Sequence, residues 1–136
     1  MTTLLANVKD PQALGHTIVS SETVQLVGTG LTSAEPCLGL SRKGIMPVPG
    51  TSEASGIVFA IRDEFATLVT EGTVPVKVAA SETIAVDDRI VINAAGEAEV
   101  SAGVAGTPML GFAKNASTGS TAEVPHYILL ELSRQA

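Results

Sequence analysis

Between Phe65 and Leu132 the chain is cut into short β-branched runs by Gly, Asp, Asn and Pro, a rhythm that suits antiparallel β structure and little else. Residues 66–70 lead into Glu71-Gly72, and residues 73–78 follow at once. Residues 83–86 meet the pair Asp87-Asp88, and the run 89–92 comes after it. Ala95-Gly96 then precedes a returning run, 97–100. Strands of about four to eight residues rich in Val, Ile and Thr, broken by turn residues at roughly 8–12 residue spacing, mark a sandwich or barrel. On this reading Glu71-Gly72 and Ala95-Gly96 are hairpin turns in which Gly supplies positive φ. Asp87-Asp88 is a turn whose carboxylates accept backbone hydrogen bonds.

The 136 residues predict a single domain. Apolar residues make up 45% of the chain but aromatics only 3%, so Val, Ile, Leu and Ala must fill the core and few rings remain for stacking sugars or bases. A net charge of −6 repels phosphate backbones and argues against nucleic acid as the partner. The single cysteine, Cys37, excludes an internal disulfide and a thiolate zinc site, and reads as a small buried apolar residue. No run approaches the ~20 apolar residues that span a bilayer, so no membrane partner is expected. The N-terminus lacks the basic start and apolar stretch of a secretory signal, which predicts synthesis and assembly in the cytoplasm of the producing cell.

The pattern divides the chain into an N-terminal arm, residues 1–20, and one β domain, residues 21–136. Within the arm, Asp10 caps a brief helical turn that runs through Leu14 and ends at Gly15. Residues 16–19 and 23–27 are predicted strands joined by a Ser-Ser-Glu turn. Residues 28–56 are rich in Gly, Pro and Ser, and Pro47 and Pro49 place them at an edge or in a surface loop. Residues 56–61 resume a buried strand, and Arg62-Asp63-Glu64 is a polar turn. In the last strand Ile128, Leu130 and Leu132 form the apolar face, and Tyr127, Leu129 and Glu131 the other.

Chemistry is hard to find. His16 and His126 each lie beside a strand-like run, where a surface or hydrogen-bonded structural role is expected. No Gly-x-Ser-x-Gly elbow accompanies them. Gly28-Thr29-Gly30 lacks the further glycine of a dinucleotide loop, and no phosphate loop is present. Asp87-Asp88-Arg89 does not alternate as calcium ligands do. No enzyme class, cofactor or metal is predicted.

The β pattern nevertheless resembles a known family. Leu68-Val69-Thr70-Glu71-Gly72-Thr73-Val74-Pro75-Val76, followed by Thr83-Ile84-Ala85-Val86-Asp87-Asp88-Arg89-Ile90-Val91, is similar to the capsid cement, or decoration, proteins of tailed bacteriophages. Leu110-Gly111-Phe112-Ala113 and residues 127–132 match their third and fourth elements. Asp87 stands where that family carries Gly, a change that an αL-tolerant Asp absorbs. The resemblance covers about half the chain well and residues 36–61 loosely; residues 1–30 match nothing. It implies a small β-barrel or β-sandwich, without catalysis, on the outer surface of the virion. The implied partners are the major capsid protein and two further copies of the chain in a homotrimer. The candidate capsid contacts are Thr2, Leu4, Leu5 and Val8 in the arm and Ile45, Met46, Pro47 and Val48 in the Pro-rich loop. The alternative is a carbohydrate- or ligand-binding β-module on a virion or cell surface.

Overall fold

The computed structural model describes residues 6–31, 37–47, 54–101 and 109–135. It is an all-β protein built as a nearly closed antiparallel barrel. A 3-10 turn, Pro11–Leu14, precedes the strands β1 (Thr17–Gln25), β2 (Gly39–Leu40), β3 (Gly56–Arg62), β4 (Phe65–Lys77), β5 (Arg89–Ile92), β6 (Ala98–Val100), β7 (Met109–Ala113) and β8 (Tyr127–Gln135).

The 13-residue strand β4 organises everything else. Gly72 and Thr73 pair with Ile18 and Thr17 of β1 and also with Leu132 and Glu131 of β8, so β1 and β8 lie on opposite edges of β4. The first half of β4 pairs with β3, from Ile57↔Val69 to Arg62↔Phe65, and its second half with β8, from Gly72↔Leu132 to Lys77↔Tyr127. From β8 the sheet continues through β7 and β5 to β6. A parallel bridge, Val78↔Ala98, returns β6 to the end of β4. The Ala79 N–H donates to the Ala98 carbonyl at 3.0 Å, and Lys77 reaches Glu97 at 3.4 Å across the same seam. Pro75 follows Thr73, the last residue paired with β1, so that edge asks no N–H of it.

Two apolar clusters result. The barrel interior holds Val74, Val76, Val78, Ile84, Ile90, Ala98, Leu110, Ala113, Ile128 and Leu130, with Ile57 and Val69 entering from the lobe. A second cluster, Val24, Leu40, Val58, Ile61, Ala66 and Leu68, lies under the lobe formed by β1, the first half of β4, β3 and β2. Alternation holds within each half of β4, with Ala66 and Leu68 in the lobe cluster and Val74 and Val76 in the barrel; Val69, next to Leu68, also enters the barrel, so the phase changes between the halves, where the pairing with β1 shifts register.

Two predicted hairpins are continuous strands. Glu71-Gly72 is no turn; β4 runs straight through it, and Gly72, at φ 124, sits where β1 and β8 close on β4 from both sides. Ser20-Ser21-Glu22 likewise lies inside β1, with register shifts on either side of Ser20. The expected division between residues 20 and 21 therefore falls within a strand. The described part of the arm, residues 6–20, lies against the barrel rather than apart from it. Val8 is buried and bridges Tyr127. In the predicted surface loop, Cys37, Leu38, Leu40 and Ser41 are all buried; β2 is last in the pairing order yet covered by packing.

Local turn chemistry follows the sequence closely. Asp10 accepts a hydrogen bond from the Gln12 N–H at 3.0 Å, and Gly15 ends the 3-10 turn. Asn93 closes the turn before β6, its side-chain oxygen accepting from Ala95 and Glu97 N–H groups at 2.9 Å each. Asp87 adopts φ 71, and Asp88 accepts from the Ala85 N–H at 2.8 Å. An αL position costs an L-residue about 1–2 kcal/mol, which glycine avoids while losing more chain entropy. Asp87→Gly is therefore expected to leave stability within about 1 kcal/mol of the parent in urea titration, whereas Asp87→Val, β-branched at positive φ, lowers it clearly.

Candidate interaction surface

The predicted contact residues divide three ways. Thr2, Leu4, Leu5 and Val48 lie outside the described residues. Val8 is committed to the fold: its carbonyl accepts from the Tyr127 N–H at 2.8 Å. The neighbouring Asn7 side chain accepts from the Thr118 N–H, also at 2.8 Å. Pro47 is buried, and Met46, half-buried, packs on the lobe cluster. Ile45 is half-buried, and its carbonyl accepts from the Ser41 N–H at 3.1 Å. Among the described residues, Val8, Ile45, Met46 and Pro47 thus do not form one exposed patch.

The polar groups inside the molecule are occupied in holding it together. His126 is buried, with Nδ1 3.1 Å from the Ser117 hydroxyl. The His126 backbone N–H donates to Ser120 Oγ at 2.9 Å, and that hydroxyl donates to the Val78 carbonyl at 3.2 Å. A Ser-His contact is the start of a nucleophile pair, but Ser117 is fully buried and a substrate would have to open the fold to meet it. His16 lies far along the chain and packs its ring edge-on against Phe59, with centroids 4.6 Å apart.

Burial pushes the Cys37 thiol up from its ordinary 9.0 to about 11. It therefore stays protonated, and thiolate is the reactive form. Alkylation by iodoacetamide at pH 8 is expected to be slow in the native protein and fast in denaturant, followed by intact mass. Equal rates would contradict the burial. Because the folded pKa is raised, any stability this thiol supplies is complete below pH 9 and falls as pH rises toward 11.

What the fold does expose is the outer face of the lobe. Val24, Ala66, Leu68 and Ile61 turn inward, so their alternating neighbours Thr23, Phe65, Thr67 and Ala60 turn out. Together with Arg62 and Asp63 they line a shallow depression of about 260 Å³. Phe65 is 45% exposed at its rim. Phe59, 37% exposed, is the extra residue at the register shift between Val58 and Ala60 in β3. It borders a separate groove of about 380 Å³, whose walls include Pro11, His16, Val74 and Pro75. Two of only three phenylalanines thus sit at the surface of one lobe, in a chain whose core is aliphatic. Aromatic residues are enriched at protein contact surfaces, which makes this lobe the candidate. The sequence carried a signal for Phe65, since it alternates with Ala66 and Leu68. Phe59 is exposed by a bulge, which no local pattern announces.

Comparison with protein families, with curated proteins and with solved structures returned no match. Function must therefore be argued from the residues and their arrangement.

Proposed function

We propose that this chain is a capsid decoration protein of a tailed bacteriophage. It binds the outer surface of the head as a homotrimer and staples adjacent major capsid subunits, without catalysis. The observation that carries the reading is the pairing of a nearly closed aliphatic barrel with an exposed lobe surface that presents Phe65 among small residues and, at a separate groove, Phe59. A barrel locked by a seam of backbone bonds resists deformation, and a shallow face with a few rings fits a flat protein surface better than a small ligand. Repetition over a shell multiplies a modest single-site affinity. The resemblance of residues 68–91 and 110–132 to the decoration family points the same way. In this reading the lobe face takes over the contact role expected of Ile45, Met46 and Pro47, which are largely spent on packing.

Co-sedimentation with expanded, undecorated heads tests it. The parent protein is expected to pellet with heads. Phe65→Asp, at an exposed position, is expected to bind at least about tenfold more weakly with an unchanged denaturation midpoint. Failure of the parent to bind heads, with binding on a glycan array instead, would favour a ligand-binding module. Full binding by Phe65→Asp would move the contact off the lobe face.

A further inference from the structure

Residues 9–16 are pinned to the barrel at their two ends and hold to little in between. At one end the Asn7 N–H donates to the Ala116 carbonyl at 3.1 Å, the Asn7 side chain accepts from the Thr118 N–H, and the Val8 carbonyl accepts from the Tyr127 N–H. At the other end Thr17 pairs with Thr73 where β1 begins. Between the pins the hydrogen bonds close within the segment itself. The Gln12 N–H donates to the Asp10 side chain at 3.0 Å, the Ala13 N–H to the Asp10 carbonyl at 3.1 Å and the Gly15 N–H to the Gln12 carbonyl at 3.3 Å. None of residues 9–16 is buried, whereas Val8 is only 7% exposed.

The segment also borders the groove of about 380 Å³. Pro11 and His16 share its walls with Cys37, Val74 and Pro75 of the barrel side. Cys37 is 8% exposed there. Burial pushes the Tyr127 phenol up, and the Cys37 thiol and the Asp10 carboxylate add to the push, so segment and thiol approach the same ring. Gly15, at φ 71, has no atom within 4 Å of where a Cβ would stand, which leaves open space around it.

We propose that residues 9–16 are a strap that opens from the Val8 pin, pivoting near Gly15, while the barrel stays folded, and that this opening is the route by which solvent and small reagents reach Cys37 and the groove wall. Segments with few buried apolar contacts open at lower free energy than the whole domain. Opening gives up one buried valine and the hydrogen bonds of Asn7 and Val8; every strand pairing from Thr17 onward is kept. The strap is independent of the head-binding reading, since the lobe depression at Phe65 does not include it.

Iodoacetamide labelling of Cys37 at pH 8, followed by intact mass in urea well below the denaturation midpoint, tests this. Strap opening exposes little surface, so the rate is expected to stay flat across that range; global unfolding would raise it with the full denaturant slope. Val8→Asp is expected to raise the rate at least about tenfold, and Asn7→Ala, at an exposed site, about threefold, neither lowering the denaturation midpoint as far as Leu130→Ala does. The Tyr127 amide, held by Val8, is expected to exchange faster than the Val78 amide, which donates to the adjacent His126 carbonyl. Flat urea dependence with faster labelling in both variants supports the strap. A rate that climbs along the unfolding curve, variants that label like the parent, or Tyr127 and Val78 amides that exchange together would overturn it.

Discussion

Replacing Gly72 by valine is expected to cost at least about 3 kcal/mol, because positive-φ strain of about 1–3 kcal/mol is added to a backbone collision. Gly72 has φ 124, a region closed to β-branched residues. A Cβ there would run into the Thr17 carbonyl oxygen and crowd the Val19 N–H. The chain has no direction in which to give, since β8 holds the other edge through Gly72↔Leu132. The expected signature is local before it is global. Amide exchange should rise first at residues 17–20, where β1 is pushed away, while residues 21–25 keep their register longer. A denaturation midpoint within about 1 kcal/mol of the parent would show that β1 does not close on β4 at this point.

Leu130→Ala is expected to lose about 2–5 kcal/mol, the range for deleting a fully buried leucine from a core that relaxes only partly. Leu130 is wholly buried, opposite Val74 on one strand and Ala113 on the other, so the cavity would open between β4, β8 and β7 in the middle of the barrel. Domains of this kind hold only about 5–15 kcal/mol in total, and the loss should be plain in a urea titration. Val124→Ala, at an exposed position, is the matched control and should stay within about 0.5 kcal/mol. Equal effects at the two sites would contradict the placement of the barrel core.

The features legible in the sequence are those decided within a few residues. The Asp10–Gly15 cap, the Asn93–Gly96 turn, the αL Asp87 and the buried face of Ile128 and Leu130 all follow from side chains acting on their own backbone or from period-2 alternation. The strand boundaries were not legible where the same local chemistry serves two ends. Gly72 supplies positive φ, as a hairpin glycine would. Whether that residue reverses the chain or lets a strand bend depends on β1 and β8, whose partners Ile18 and Leu132 lie 54 and 60 residues away. Ser20-Ser21-Glu22 was ambiguous in the same way, since turn-forming residues are tolerated in an exposed edge strand. The packing of the expected contact residues 45–47 was hidden for a related reason. Short apolar runs such as 45–48 look available to a partner until the lobe cluster, made by residues from β1, β3 and β4, is seen to occupy Met46. Phe65 and Phe59 look like core until the sheet face they occupy is known.

Electron cryomicroscopy of phage heads incubated with the pure protein tests the central proposal most directly. The account predicts barrel-shaped density at repeated positions on the outside of the shell, with the β1–β4–β3 face carrying Phe65 turned toward the capsid subunits. Bare heads at saturating protein, or barrels attached with that face turned to solvent, would contradict it.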